Sequence, residues 1–159
     1  MRDKRFIALH RGGLLTKDNH QKLIRWAREC SEHVMSLIDE TIDERLVHAL
    51  HVAREWENEN VPTGEAMKAS LDAHAVARES SRPAFIAVAR SIGQAVATAH
   101  MADHSLGAAL YALKAVNHSG RSIDEERDWQ ETKLKQLPAE IVELVLATMI
   151  EKEKGLKID

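Results

Sequence analysis

The sequence predicts an all-α fold, a single-domain bundle of about seven helices that pack antiparallel around an alanine-rich centre. Three observations support this prediction. Apolar residues recur at spacings of three and four along most of the chain, as on one face of a helix. No segment alternates apolar and polar residues between turn signals, as a half-buried strand would. Alanine dominates residues 66–115, and this residue favours helices and close contact between them.

The individual helices are predicted from these apolar stripes and from residues suited to helix ends. Thr16, Thr63 and Ser122 can cap the first, third and sixth helices, since a side-chain oxygen can accept from a free backbone N–H. Pro83 suits the first turn of the fourth helix, and Gly120 suits the end of the fifth. The predicted helices cover about 17–38, 43–58, 64–80, 83–101, 105–117, 123–137 and 138–153.

The length of 159 residues fits one domain with a substantial core. Residues 1–15 and 155–159 are expected to be loosely ordered. The single cysteine, Cys30, lies on the apolar stripe of the first helix and is expected to be a buried, inert thiol. No intrachain disulfide can form, no apolar run is long enough to span a bilayer, and the basic start does not resemble a signal peptide. These features predict a cytoplasmic protein.

The net charge of −3 conceals a strong segregation along the chain. Residues 1–28 carry eight lysines and arginines and two acids, whereas residues 29–65 carry ten acids and two basic residues. The overall balance does not favour nucleic-acid binding. The acidic block could face a basic partner, although solvated acidic helix faces are the commoner case.

Part of this acidic block surrounds an aromatic residue and a loop. Glu55, Glu57, Glu59 and Glu65 flank Trp56 and the loop that contains Pro62. Concentrated charge beside an aromatic residue is typical of a protein-binding edge, so these four glutamates are the candidate partner-binding residues. In the alternative interpretation, Trp56 is a core anchor and the glutamates are solvated.

Nine histidines raise the question of a metal site. His100 and His104 are four residues apart, the spacing that places two ligands on one helical face, and His74 lies in the neighbouring alanine-rich helix. A helix that ends between His100 and His104 would break this geometry. The competing interpretation is a set of hydrogen-bonded core histidines. The sequence offers no phosphate loop and no paired nucleophile and base, so it does not favour an enzyme.

The alanine-rich centre carries a recognisable pattern. It consists of the segment from His74 to Arg78, the A-x-A-R segment that ends at Arg90, the A-T-A-H-M-x-x-H element from Ala97 to His104, and Tyr111 followed by Lys114. Together with the W-A-x-x-C segment that starts at Trp26, this pattern resembles the immunity-five-like family of bacterial polymorphic toxin systems. The likeness extends over the first five predicted helices.

The resemblance implies an all-α protein that neutralises a toxin by binding it, with no catalytic residue carried over. The expected partner is a protein toxin, and a basic nuclease domain would match the acidic block. No cofactor is expected under this hypothesis. Two alternatives stay open. One is an enzyme with one divalent metal ion held by His74, His100 and His104. The other is a homodimer formed through the apolar seventh helix.

Overall fold

The computed structural model describes residues 2–156, and over this range the chain forms seven α-helices, three short 3-10 helices and no strand. This confirms the predicted all-α class. Of residues 155–159, which are expected to be loosely ordered, 155 and 156 belong to the last helix and 157–159 lie outside the described range. The seven helices are α1 (Lys17–His33), α2 (Glu44–Glu57), α3 (Thr63–Arg78), α4 (Pro83–Ala97), α5 (His104–His118), α6 (Ile123–Leu134) and α7 (Ala139–Leu156).

Helix α4 lies at the centre and packs against α1, α2, α3 and α5. On one side, α2, α3 and α4 enclose a core of alanine, valine, leucine and isoleucine. On the other side, α1, α5, α6 and α7 enclose a second apolar core around Trp26 and Leu106. Ala27, Ala95 and Ala108 form a small buried contact of their own, where α1, α4 and α5 meet.

A buried chain of hydrogen bonds runs beside this alanine contact. The Oγ of Ser91 on α4 donates to the carbonyl oxygen of Ala108 on α5, over 2.7 Å. A hydroxyl has one proton to donate, so the Oγ of Ser31 on α1, 2.8 Å away, donates in turn to Ser91. Both serines are 0% exposed. The chain therefore joins the three helices through polar groups that have no access to water.

The N-terminal segment is part of the packed structure. Residues Lys4–Phe6 and Leu9–Arg11 form 3-10 helices, and a single β-bridge joins Ala8 to Leu15. Phe6 and Leu15 are 3% and 2% exposed and belong to the second core. The structure thus differs from the expectation of a loose start, because two apolar side chains attach this segment to the bundle.

Helices α1 and α4 end well before their predicted ends. Helix α1 ends at His33 rather than near Ile38, because the chain tightens into the 3-10 helix Met35–Leu37. Helix α4 ends at Ala97 rather than near Met101. There the Nε2 of His20 on α1 donates to the carbonyl oxygen of Thr98 over 2.6 Å, so a side chain satisfies a group that a continuing helix would use.

The predicted caps are confirmed in part. Thr16 and Ser122 accept from backbone N–H groups at the starts of α1 and α6, as expected. Thr63 is instead the first residue of α3 and caps nothing, because its Oγ1 accepts from the indole N–H of Trp56 at 3.1 Å.

Two helices end in the same hydrogen-bonded motif, with one residue in the left-handed region. At the end of α5 that residue is Gly120, with φ of 73°, as the sequence predicts. At the end of α2 it is Glu59, with φ of 64°. The N–H of Glu59 donates to the carbonyl oxygen of Trp56, and the N–H of Asn60 donates to that of Glu55, which is the Schellman pattern. The sequence predicts where α2 ends but not this motif, because glycine is the usual signal for it.

We expect Gly93→Ala to lower the free energy of unfolding by about 1–3 kcal/mol, because the methyl group would overpack the contact between α3 and α4. The new Cβ would lie 2.7 Å from the Nε2 of His74, whose ring also contacts Arg90. Urea denaturation followed by circular dichroism measures the change. The matched control is Gly64→Ala, where the added Cβ meets no atom within 4 Å. Equal stability of the two variants would contradict the close approach.

Candidate functional site

The four candidate glutamates lie around the loop between α2 and α3, but they are not equivalent. Glu55 accepts from the side-chain amide of Asn60 over 2.7 Å. Glu59 is exposed and forms an ion pair with Lys17 of α1. Glu65 is exposed in the first turn of α3. We call Glu55, Glu59 and Glu65 the acidic edge.

Glu57 does not belong to this edge. Its side chain is turned into the bundle, and the residue is only 9% exposed. Its carboxylate accepts from Arg25 at 2.6 Å and from Arg28 at 3.4 Å. The periodicity of α2 explains the difference, since Glu57 follows Leu46, Ala49 and Ala53 on the inward face. The sequence-based choice of Glu57 as a surface residue is therefore corrected: this carboxylate joins α2 to α1.

Most of the other acidic residues between 29 and 65 form ion pairs with nearby basic residues. The ion pairs are Glu32 with Arg28, Asp39 and Glu40 with Arg82, and Asp43 with Arg45. The negative charge that the sequence concentrates in residues 29–65 is thus partly neutralised on the surface. In the part of the chain described, Glu55 and Glu65 of the acidic edge form no ion pair with a lysine or arginine, and neither does the exposed Glu44.

A large open cleft lies beside the acidic edge, between the N-terminal segment and the start of α3. Its volume is about 750 Å³, and its lining includes Leu9, Lys17, His20, Trp56 and His100. The indole of Trp56 is tilted against the imidazole of His20, with ring centroids 4.8 Å apart. Burial lowers the pKa of His20, so this ring is neutral at physiological pH. The cleft therefore presents aromatic and apolar surface next to the exposed carboxylate of Glu59.

Two of the predicted metal ligands, His74 and His104, lie in a different region, where α3, α4 and α5 meet, whereas His100 lines the cleft. The Nδ1 of His74 lies 2.9 Å from a guanidinium nitrogen of Arg90. Arginine can only donate, so this nitrogen of His74 is an acceptor and carries no proton. Burial, followed by the charges of Arg90 and Arg78, lowers the pKa of His74 to about 4. His74 is thus a neutral hydrogen-bond partner for an arginine.

His104 has a different partner again. Its Nδ1 lies 2.8 Å from the side-chain oxygen of Gln94 on α4, and burial lowers its pKa. Helix α4 ends at Ala97 and α5 begins at His104, so His100 lies in the turn between them and the two histidines do not share one helical face. Within residues 2–156, no three side chains of histidine, cysteine, aspartate or glutamate come together in a way that could hold a metal ion. The three histidines do not form one ligand set.

Sequence reasoning missed Arg90 and Gln94 as the partners of these histidines. Both lie on α4, four residues apart, on the side that faces α3 and α5. The available signal was the motif itself, because His74, Arg90 and His104 all belong to it. The structure brings these motif residues from three separate helices into one polar cluster.

We expect the stability of the protein to fall as the pH is lowered from about 6.5 towards 4. The pKa of His74 is about 4 in the fold, against an ordinary value of 6.5, so the unfolded chain binds a proton that the folded chain resists. His20 and His104 act in the same direction. This stabilisation is fully present at pH values above the pKa of histidine in the unfolded chain. It is lost as the pH falls through the pKa of the same histidine in the folded chain.

The measurement is the melting temperature across this pH range for three proteins. His74→Gln can still accept from Arg90 but cannot titrate, so its melting temperature should depend less steeply on pH. His51→Gln, at an exposed position on α2, is the matched control and should keep the original dependence. Identical slopes for His74→Gln and the unmodified chain would contradict the assignment.

Comparisons with known proteins agree with the motif. A family profile described as "Imm-5 like putative immunity protein" matches residues 13–137, well over half of the chain. No curated protein and no solved structure matches the chain. Among the described residues, no helix combines the length and the apolar character needed to cross a membrane. The matched region includes helices α1 to α6 and the whole polar cluster, and the chain belongs to the Imm-5 like putative immunity protein family.

Proposed function

We propose that this chain is an immunity protein that binds a protein toxin and neutralises it by covering the toxin's active surface, without catalysis. Family membership supports the class of function. The observation that supports a binding surface is the ion pair of Glu59 with Lys17, because Lys17 lines the large open cleft beside the acidic edge. Charge and apolar surface are thus adjacent, as in protein interfaces.

The electrostatics of the edge suit a basic partner. Nuclease toxins bind an anionic substrate, so their active surfaces are commonly basic, and a carboxylate on the inhibitor can occupy the place of a phosphate. Glu55, Glu59 and Glu65 come from the end of α2, the following loop and the start of α3. This places three carboxylates on one short stretch of surface. Such an arrangement accelerates association at low salt and loses its effect as salt screens it.

The cleft would supply the apolar part of the interface. Trp56 is half-buried in it, and Leu9 at its border is 57% exposed. Tryptophan is enriched among the residues that dominate binding energy, chiefly where surrounding contacts exclude water. A side chain of the toxin that enters this cleft would desolvate Trp56 while the acidic edge holds basic groups beside it.

A binding role also agrees with the state of the one cysteine in the chain. Cys30 is fully buried, and burial, followed by the charges of Glu126 and Glu29, raises the pKa of its thiol well above the ordinary value. A thiol in this state is not a reactive nucleophile.

A homodimer stays a prediction. The residue that would favour it is Ile150 on α7, which is 61% exposed.

The test begins with affinity capture from the native host, followed by expression of the captured toxin domain and measurement of its inhibition by the purified chain. We expect the triple variant Glu55→Lys, Glu59→Lys, Glu65→Lys to associate at least about tenfold more slowly at low salt, and to show a weaker salt dependence. Kinetic binding measurements at several salt concentrations check this.

The matched control reverses charge elsewhere on the surface. Glu140 and Glu143 are exposed on α7, outside the acidic edge, so their change to lysine should leave the association rate nearly unaltered. If both variants associate with the toxin at the same rate, the acidic edge is not the binding surface. If the captured domain keeps its activity in the presence of a stoichiometric amount of the chain, the immunity role itself is wrong.

A further inference from the structure

A second groove runs between α4 and α5, lined by polar side chains that the proposed immunity function does not use. The two helices are antiparallel: Ser91 bonds to the carbonyl oxygen of Ala108, and a Cβ on Gly107 would touch the side chain of Gln94. This register places Arg90 opposite Tyr111. The same residues line a groove of about 300 Å³, together with Ile86, Ala87, Lys114 and His118.

The cations of this groove lack the partners that most arginines in this protein have. Arg28, Arg45 and Arg82 each pair with two carboxylates. By contrast, in residues 2–156 the side chain of Arg90 hydrogen-bonds only to the neutral ring of His74, and Lys114 has no ion pair. No acidic side chain of the described residues lines the groove. Two positive charges therefore face one half-buried space with nothing to balance them.

The position of Arg90 also leaves most of its donors free. A guanidinium has five N–H donors in a rigid fork, and His74 takes one of them over 2.9 Å. That hydrogen bond orients the group without neutralising it, because an imidazole whose pKa is about 4 is uncharged at physiological pH. The hydroxyl of Tyr111 lies on the opposite helix and can donate as well. The groove is thus a preorganised set of hydrogen-bond donors.

We propose that the groove between α4 and α5 binds a phosphate group carried by a small organic molecule. Arg90, Tyr111 and Lys114 bind the phosphate oxygens, and the apolar part of the ligand lies along Ile86 and Ala87. Phosphate fits better than carboxylate, because three kinds of donor from two helices match three acceptor oxygens with a charge of nearly −2. The volume lies at the small end of the range for ligand pockets, which favours a compact phosphate monoester. The net charge of −3 disfavours a nucleic acid.

This inference does not depend on a toxin partner, so it can be tested on the purified chain alone. The probes are inorganic phosphate and phenyl phosphate, titrated at neutral pH and constant ionic strength set with chloride, with acetate as the carboxylate probe. Binding is measured by isothermal titration calorimetry. We expect a stoichiometry of one per chain, and tighter binding of phenyl phosphate than of inorganic phosphate, because only the former reaches Ile86 and Ala87.

Three variants assign the binding to this groove. Arg90→Gln and Lys114→Gln should each weaken phenyl phosphate binding at least about tenfold, the change that corresponds to a loss of about 1.4 kcal/mol. Lys114→Gln keeps the proposal testable if the loss of the contact between Arg90 and His74 disturbs the fold. Lys135→Gln, at an exposed position after α6, removes the same charge elsewhere and should bind as the unmodified chain does.

Several outcomes would overturn the proposal. Absence of phosphate binding in the unmodified chain would remove the site, as would unchanged binding in both Arg90→Gln and Lys114→Gln. Acetate that binds as tightly as phosphate would replace the assignment by a general anion site. Equal affinity for inorganic and phenyl phosphate would remove the organic part of the ligand from the proposal.

Discussion

The fold depends on the close approach of α1, α4 and α5 at Ala27, Ala95 and Ala108. Side chains of this size let three helix backbones come together, and the Ser31–Ser91 hydrogen bonds beside the contact admit only one arrangement of polar groups. Because all these groups are buried, an unmade hydrogen bond would cost on the order of 1–3 kcal/mol. Small residues set the distance between the helices here, and the serines set their register. The two larger apolar cores then form on either side of this junction.

The register of α4 against α5 follows from the same junction, and the polar surface follows from the register. Ser91 lies opposite Ala108. Gln94 therefore lies beside Gly107 and can bind His104. In the same register Arg90 lies opposite Tyr111. Gly93 leaves room for the ring of His74, which then positions Arg90. The alanines, serines and glycines at the centre of the bundle therefore determine where its half-buried cations lie. The acidic edge is positioned separately, by the way in which α2 ends.

The sequence predicts the features that depend on local periodicity. It does not predict the features that depend on contacts between distant parts of the chain. The helices, the buried Cys30 and the caps at Thr16 and Ser122 follow from local pattern, and the structure confirms them. Thr63 fails as a cap because Trp56, seven residues earlier, takes its hydroxyl. The early end of α4 depends on His20, which is 78 residues away from Thr98 in the chain. The charge of Glu57 favours a surface position, but its place on the inward face of α2 buries it. No local pattern could have paired His74 with Arg90, since they lie on different helices.

Glu59 occupies a left-handed backbone position at which helices that end in this motif usually have glycine. The comparison with Gly120, which closes α5 in the same way, makes the difference clear. A residue with a Cβ costs on the order of 1 kcal/mol in the left-handed region, so glycine at position 59 would give a more stable loop and no carboxylate. At this position, therefore, the residue that gives the more stable loop is not the residue that supplies a negative charge. Selection for stability alone would remove Glu59, whereas selection for a toxin contact would retain it. The residues that relatives carry at this position would thus record which of the two pressures has acted on the edge.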